Sequence, residues 1–543
     1  MYGIGCATVG FVSIASVRHI FGKECRQTDG LSDHDVAAAL SYVQRSLPPP
    51  LMMTRFLRRL SAWAGLLVLT PVLSLAAAPH CSYPTSVGAT APTPYLPFNL
   101  VETHGPQKVF AHYMPIFPIS IDNKDGDKDY YATQFLTVDG ENGKHAAYGG
   151  YLRDRPLPRA HSHLPDWQLA DLRTEIGQAQ SVGIDGFAVD VLAPRATSDV
   201  IDRILQATAE VRNFTVLITT DMSSPLGAMT AADFAAEVAP YLTAPAAYHL
   251  SDGRPVLGAW FAERNAPAWW VSVFNILRDK FKLSVAFVPT FCIVADNPEK
   301  FAPFSYGFSM WGGRDPDAMT SVNVGRGSPV DVIRRTHQLG KLWMQPVVFQ
   351  DSRPKDAAFE ESANSLTNRL AWQIADQQHA EWVQLITWND YAESTAMAPS
   401  VVHGWRILDM NAYDIVRFKL GRPPPIVHDA LFVSYRDQPV SARPVYAETS
   451  PMQVSETVPP RDTIEVLAFA TAPSRISIRA GTQYYSCTVP AGRGNCVFPL
   501  SLGSISAEMW RDGAAVATAR SNADVTETPY VQDLQYRVVG GLR

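Results

Sequence analysis

The feature that most constrains the fold of this chain is a regular alternation of short apolar segments with longer amphipathic ones. The apolar segments predict strands, and the segments between them carry apolar residues at helical spacing. The predicted strands are Lys108–Tyr113, Gly186–Leu192, Thr215–Thr220, Pro255–Phe261, Leu283–Pro289, Gly307–Trp311, Leu342–Val348 and Val383–Thr387. The predicted helices are Asp166–Val182, Ser198–Glu210, Ala231–Leu242, Trp269–Lys280, Val330–Leu339 and Glu360–Gln378. Because a closed α/β barrel needs eight strands, we expect a (β/α)8 TIM barrel over residues 107–424.

The pattern changes after Arg422-Pro423-Pro424-Pro425, where the helical spacing stops. Short alternating segments follow, and Arg511-Asp512-Gly513 between two of them is a good hairpin turn because Asp-Gly tolerates positive φ. We expect a small C-terminal β-sandwich domain over residues 425–543. Its predicted strands are Ala430–Tyr435, Thr463–Ala470, Arg475–Arg479, Gln483–Thr488, Ser506–Arg511 and Ala514–Ala519.

The segment Met52–Ala78 has the layout of a secretory signal peptide, with arginines first, an apolar stretch next and small residues last. A membrane anchor is the alternative, but the apolar stretch is short and Pro71 interrupts it. We therefore expect a secreted or periplasmic protein without a membrane span after processing. Residues 1–51 show no sustained period, so we expect a non-native or disordered extension, and residues 79–106 read as a linker.

Charge and cysteine content narrow the possible partners. Residues 1–78 hold seven of the 46 Lys and Arg and four of the 52 Asp and Glu, so the remaining chain has a net charge of −9. Such an acidic surface disfavours nucleic acid as a partner. Cys487 and Cys496 bracket a turn-like segment, Pro490–Asn495, and are either a local disulfide or two separate thiols.

Two further segments contain side chains that could bind a metal ion. In Asp122–Asp129 the glycine is out of register with a calcium-binding loop, so a solvated loop is the better interpretation. His161 and His163 lack other ligands at metal-binding spacing. We expect no metal and no cofactor, and the sequence does not indicate an oligomeric state.

The reactive groups of an α/β barrel gather where its strands end, so polar residues that close an apolar segment are candidate site residues. They are Tyr113, Asp190, Asp221, Glu263, Trp311 and the segment Trp388–Glu393. Asp185 lies near the start of the second strand, where it either fixes a turn or acts on the substrate.

The segment Trp388-Asn389-Asp390-Tyr391-Ala392-Glu393 holds the largest number of such groups. On a helical turn, Asp390 and Glu393 would share one face. Two neighbouring carboxyl groups, one protonated and one ionised, are what hydrolysis of a glycosidic bond needs, and Trp388 and Tyr391 could stack on a sugar ring. The alternative is that one of the acids caps the next helix.

From Lys108 to its C-terminus the chain resembles glycoside hydrolase family 71, the α-1,3-glucanases often called mutanases. The most specific matching segment is Ile386–Ser394, and weaker ones are Val109–Met114, Gly183–Ala188 and Phe287–Phe291. The resemblance implies an inverting endo-α-1,3-glucanase, with Asp390 and Glu393 as acid and base in either order and Asp185 as a further essential acid.

The chain also departs from the family pattern. Ala392 replaces the usual glycine, and the residues after Trp260 and Trp311 differ from those expected. These differences leave the linkage less certain than the chemistry. We expect a polysaccharide or oligosaccharide substrate bound by Tyr113, Asp190, Asp221, Trp260, Glu263, Trp311, Trp388, Asn389 and Tyr391. The alternatives are a glycosidase of another linkage specificity and a non-catalytic glycan-binding barrel protein.

Overall fold

The computed structural model describes residues 86–91, 93–320, 328–455 and 458–543. Strands β1 (Ser86–Ala91) and β2 (Leu100–His104) pair antiparallel within the predicted linker. Between them, Leu96 and Phe98 are fully buried in the main hydrophobic core. The linker prediction is therefore wrong for these residues, because two large apolar side chains anchor the segment. The predicted signal peptide and N-terminal extension lie outside the described residues.

Eight parallel strands form a closed barrel in the order β12-β3-β4-β5-β6-β7-β8-β9, which confirms the barrel prediction. They are β3 (Lys108–Tyr113), β4 (Gly186–Val191), β5 (Thr215–Asp221), β6 (Val256–Trp260), β7 (Ala286–Phe291), β8 (Gly307–Met310), β9 (Leu342–Val348) and β12 (Trp382–Ile386). The fifth strand starts later than predicted. Lys282, with a φ of 60°, ends the preceding helix, and the Leu283 N–H still donates to the Leu277 carbonyl.

Helices connect most of these strands. The longer ones are Trp167–Gln180, Val200–Ala209, Ala231–Leu242, Pro267–Phe281, Pro329–Gln338, Leu366–Gln377 and Arg406–Leu420, and the short ones are Gly140–Gly143, Asn297–Phe301 and Pro316–Thr320. Local chemistry explains where they begin: Thr230 and Ser328 each accept a backbone N–H three residues later. No helix among the described residues is long and apolar enough to cross a membrane.

Strand alternation divides the barrel side chains into an inner and an outer set. Phe110, Ala188, Leu217 and Trp382 come from four different strands yet share one hydrophobic cluster, which therefore fills the barrel interior. Their strand neighbours Ala111, Phe187 and Val383 belong instead to the core that contains the surrounding helices. This division decides which predicted site residues can reach the barrel mouth.

A small sheet sits beside the barrel between β9 and β12 along the chain. Strand β10 (Asp351–Arg353) pairs antiparallel with β11 (Ala358–Glu360), and β11 pairs parallel with β14 (Gln453–Val454) from the C-terminal part. The helix that was predicted to begin at Glu360 begins at Leu366, because Glu360 belongs to β11. The C-terminal part thus supplies a strand next to the barrel.

The C-terminal part consists of two antiparallel four-stranded sheets, β18-β15-β13-β21 and β17-β16-β19-β20. The strands are β13 (Ala430–Tyr435), β15 (Thr463–Ala470), β16 (Ser474–Ala480), β17 (Gln483–Val489), β18 (Gly492–Pro499), β19 (Ile505–Arg511), β20 (Ala514–Arg520) and β21 (Arg537–Gly540). Side chains from both sheets share one hydrophobic cluster. The β-rich character is as predicted, and the sandwich remains a prediction.

The segment predicted as a turn, Pro490–Asn495, is mostly strand, because Gly492 to Asn495 pair with β15. Cys487 on β17 and Cys496 on β18 form a disulfide, which confirms that alternative. Since β17 and β18 belong to different sheets, the disulfide links the two sheets. Asp512 and Gly513 both have positive φ, as the predicted hairpin turn requires.

Buried polar contacts join the C-terminal part to the barrel. Ser365 donates two hydrogen bonds to Glu465, from its backbone N–H at 2.9 Å and from its hydroxyl at 2.6 Å. Arg436 donates to the fully buried Glu361 at 3.0 Å. Buried charged groups that lose their partners are costly, so these contacts fix the two parts together.

Candidate active site

His112, Asp190 and Gln384 form a polar layer inside the barrel, each two residues after a member of the interior cluster. The Gln384 amide nitrogen lies 2.8 Å from His112 Nδ1, and because an amide nitrogen only donates, Nδ1 accepts. His112 Nε2 lies 3.7 Å from Asp190 Oδ2, and the imidazole ring meets Trp311 edge-on at 4.9 Å. Asp190 Oδ1 is buried without a hydrogen-bond partner. The layer therefore presents an unused acceptor at the carboxyl ends of the strands.

Asp221 ends strand β5, next to Asp190 on the neighbouring strand. Its Oδ1 accepts the Ser223 N–H at 2.6 Å. Burial, and then the charge of Asp190, raise the pKa of Asp221 to about 6. Asp190 and Asp221 thus form a second pair of carboxyl groups at the mouth, besides Asp390 and Glu393.

Trp260, Glu263 and Trp311 follow β6 and β8. The two indole rings lie 5.8 Å apart at 79°. Trp260 Nε1 and Glu263 Oε2 are buried without hydrogen-bond partners, and burial raises the pKa of Glu263 to about 7. Buried polar atoms without a partner are uncommon, and at a barrel mouth they mark a place for a polar ligand.

Asp390 lies in a turn after β12 and not in the expected helix. Its Oδ1 accepts the N–H groups of Ala392 at 2.9 Å and Glu393 at 3.1 Å, so the carboxyl caps this turn. Its own N–H donates to Thr387 Oγ1 at 2.8 Å. Burial first, and then the charge of Glu393, raise the pKa of Asp390 to about 7. Asp390 can therefore cap the turn and also act as an acid, because both capping hydrogen bonds use Oδ1 and leave Oδ2 to carry a proton.

Glu393 is in a more open environment than Asp390. Its side chain is 27% exposed, and Oε2 lies 3.7 Å from Arg353 Nη2. The backbone is held by Ser352, whose N–H donates to the Glu393 carbonyl at 2.9 Å. Ala392 does not have a positive φ, so the alanine in place of the family's glycine fits the turn without strain. The two acids thus have contrasting surroundings within one turn.

Four residues that were predicted to contact the substrate are instead buried and support the surrounding structure, so the prediction is corrected for them. Tyr113, Trp388, Asn389 and Tyr391 are each at most 1% exposed. Tyr113 Oη donates to Glu175 Oε2 at 2.9 Å, and Trp388 Nε1 donates to Glu175 Oε1 at 3.3 Å. Burial raises the pKa of Glu175 to about 8.

The other two hold the loop that follows β3. Asn389 donates to the carbonyls of Met114 and Phe117 and accepts the Met114 N–H at 2.7 Å. Tyr391 packs in a cluster that contains Phe117, Tyr131 and Leu152. All four residues set the position of the turn, but none has a surface on which a sugar could stack.

Asp185 is also placed elsewhere, since it precedes β4 and so lies at the opposite end of the barrel from Asp190. Its Oδ2 accepts the Val109 N–H at 2.7 Å and lies 2.8 Å from Lys419 Nζ. The structure thus supports the turn-fixing alternative and not a catalytic role. The carboxyl group at the mouth end of this strand is Asp190.

Sequence reasoning missed two groups of residues near the site. One is His112, which lies in the segment Val109–Met114. Because side chains alternate along a strand, its position two residues after Phe110 places it inside the barrel. Arg353 and Asp351 lie on the added strand β10, which no local sequence pattern predicts. Among residues 93–320, 328–455 and 458–543, no group of three or more His, Cys, Asp or Glu side chains could hold a metal ion.

The chain is similar to several known proteins. A mutanase of Penicillium rubens is 23% identical over 387 residues, which cover 67% of this chain and 83% of the relative. Among solved structures, the GH99 endo-α-mannosidase from Bacteroides thetaiotaomicron has a TM-score of 0.42 at 14% identity and covers 58% of this chain and 98% of its own. A glycosyl hydrolase family 2 member from Bacteroides cellulosilyticus has a TM-score of 0.35 at 10% identity and covers 65% and 43%. Both TM-scores lie below 0.5, so neither bears on substrate or mechanism.

The family comparison covers more of the chain. The sequence model described as Glycosyl hydrolase family 71 matches residues 161–539, a range that contains seven of the eight barrel strands, the segment Trp388–Glu393 and nearly all of the C-terminal part. This chain is a glycoside hydrolase and belongs to glycosyl hydrolase family 71.

Proposed function

We propose that this enzyme hydrolyses α-1,3-glucosidic bonds of a glucan with inversion, with Asp390 as the general acid and Glu393 as the general base. The observation that carries the proposal is the contrast between the two acids of one turn. Asp390 is 7% exposed, and its pKa is raised to about 7, so it holds a proton near neutral pH. Glu393 is more exposed, and its Oε2 lies 3.7 Å from Nη2 of the Arg353 guanidinium group.

The linkage is supported by the mutanase relative. That protein aligns with 67% of this chain, although at 23% identity. In an inverting reaction the acid protonates the leaving oxygen while the base activates a water on the opposite face of the sugar. We assign the first step to Asp390, whose pKa is raised to about 7, and the second step to Glu393.

We assign substrate binding to the residues at the barrel mouth that have buried polar atoms without a hydrogen-bond partner. Asp190 Oδ1 and Glu263 Oε2 accept sugar hydroxyls, and Trp260 Nε1 donates to one. Trp311 and Asp221 complete this side of the groove. A sugar hydroxyl is both donor and acceptor, so one ring could satisfy groups of both kinds.

Export is the second part of the proposal. The arginine-rich and apolar layout of residues 52–78 supports it, and so does the disulfide between Cys487 and Cys496, since disulfides persist in oxidising compartments. Expression of the full chain in its own host, followed by N-terminal sequencing of the extracellular and periplasmic protein, tests it. A protein retained in the cytoplasm with residues 52–78 intact would contradict export.

The activity is tested by incubating the purified protein with α-1,3-, α-1,4-, α-1,6- and β-glucans and identifying the products. We expect oligosaccharides from α-1,3-glucan, with the β-anomer first in the NMR spectrum. The variants D390N and E393Q should fold and lose activity by orders of magnitude. Cleavage only of another linkage contradicts the substrate, release of the α-anomer contradicts inversion, and near-normal turnover of E393Q removes Glu393 from the mechanism.

A further inference from the structure

Strand β10 lies directly against the segment that carries both acids. The Ser352 N–H donates to the Glu393 carbonyl at 2.9 Å, so the backbones of the two segments are joined at this point. One residue later, Arg353 Nη2 lies 3.7 Å from Glu393 Oε2. The Arg353 side chain is only 7% exposed. A buried guanidinium group therefore faces the proposed base.

Arg353 is itself held from behind. Its Nε donates to Asp351 Oδ1 at 2.7 Å, and its Nη2 donates to Asp351 Oδ2, which makes a two-pronged ion pair. Arg314 contacts the same carboxyl, with Nε at 3.3 Å from Oδ2. Arg314 in turn donates to the carbonyls of Trp311 and Gly312 at 2.7 and 2.8 Å. A chain of contacts thus runs from the end of β8 to Glu393.

The charges around Glu393 explain why a cation is needed there. From its own turn it faces Asp390, from β10 it faces Asp351 and Arg353, and from β11 it faces Glu360. Behind these groups lie Arg314 and Asp315. Burial and the neighbouring carboxyls raise the pKa values of Asp351 and Glu360. The guanidinium groups offset only part of this increase. Carboxyl groups outnumber guanidinium groups here, so Arg353 offsets the repulsion between Glu393 and the carboxyls around it.

We propose that Arg353 is a positioning residue of the reaction, which holds the Glu393 carboxylate in one orientation while Asp351 and Arg314 hold Arg353. This inference rests on the proposed function, because it needs Glu393 to act as the base. The competing explanation is that Arg353 only stabilises the β10–β11 hairpin through Asp351. The two explanations differ in whether the positive charge itself matters for the acids.

The test compares R353Q and R353K with the wild type. R335Q is the matched control, because Arg335 is 11% exposed and pairs with Glu299 and Asp331 on the outside of the barrel. For each protein we would measure thermal unfolding, kcat and KM on the cleaved glucan, and kcat/KM against pH. A fourth measurement is the pH titration of the Asp390 carboxyl by 13C NMR, assigned with D390N, which does not depend on turnover.

We expect R353Q to fold and to lose kcat by about 10- to 100-fold with a small change in KM. The limb of its pH profile assigned to Asp390, and the NMR titration of Asp390, should move to higher pH, because the charge of Arg353 lowers the pKa of Asp390. R353K should recover most of the loss and the wild-type pH profile. R335Q should match the wild type in kcat, KM, pH profile and NMR titration.

Several results would overturn the inference. They are a folded R353Q whose pH profile and Asp390 titration are unchanged, an R353K variant as impaired as R353Q, and failure of both variants to fold. If the wild type cleaves no glucan, the proposed function fails. The NMR titration then still decides whether the charge of Arg353 acts on the turn that holds both acids.

Discussion

Replacing Asp390 by Asn should abolish activity and yet stabilise the enzyme at alkaline pH. The pKa of Asp390 rises from 3.8 to about 7, chiefly because the carboxyl is buried. A folded-state pKa above the unfolded value means that the folded protein binds this proton more tightly. The charged carboxylate therefore destabilises the fold progressively between pH 4 and 7, and fully above about pH 8.

The magnitude follows from the size of the shift. About three pKa units at about 1.4 kcal/mol each correspond to about 4 kcal/mol of folding free energy. Because Asp390 is only 7% exposed, screening by solvent does not reduce this value much. In D390N the side-chain oxygen can still accept the N–H groups of Ala392 and Glu393. The stabilisation of D390N should thus be of this order at pH 8 and close to zero at pH 4.

Urea denaturation followed by tryptophan fluorescence at pH 4, 6 and 8 measures this difference. D252N is the control, because Asp252 is half exposed beside Arg254 and should show no gain at pH 8. A D390N variant that is equally stable or less stable than the wild type at pH 8, or whose gain does not depend on pH, would refute the argument that a buried charge causes the shift.

Three further predictions follow from the same structure. The value of kcat/KM should fall as pH rises through about 7, because the proposed general acid Asp390 loses its proton, and a profile flat to pH 9 would contradict that role. D185N should lower the free energy of unfolding by up to about 3 kcal/mol, because the largely buried Lys419 loses its anionic partner and keeps the Gly183 carbonyl. The value of kcat per folded molecule should stay within about threefold of the wild type. Replacing Cys487 and Cys496 by Ser should lower the free energy of unfolding by about 2 to 3 kcal/mol, as expected for a closed loop with a sequence separation of 9, and an unchanged urea midpoint would contradict this.

The barrel was predictable because each of its strands is a short apolar segment and most of the neighbouring helices have a clear apolar period. Lys108–Tyr113 and Leu342–Val348 have the predicted bounds. Helix Arg406–Leu420 was missed, since Asp409, Asn411 and Asp414 are buried on it and obscure the apolar period. Strand β18 was missed because its glycines indicate a turn, although the adjacent strand pairs with them.

The candidate site was predictable in part. Polar residues at strand ends include Asp190, Asp221 and Trp311, which do lie at the mouth. The position of a residue along a strand, however, does not say which side of the barrel wall it faces, and Tyr113 faces the helices. Contacts between distant segments cannot be read from local patterns, and Arg353, 40 residues before Glu393, is such a contact.

Strand β14 gives the C-terminal part a role in the integrity of the candidate active site. It pairs with β11, which pairs with β10, the strand that carries Arg353. An engineer who deletes this part, or exchanges it for the accessory domain of another glycosidase, would therefore remove the outermost strand of the sheet that contacts the turn of Asp390 and Glu393. Such a chimaera has to retain Gln453–Val454, because the boundary of the catalytic module in space differs from its boundary along the chain.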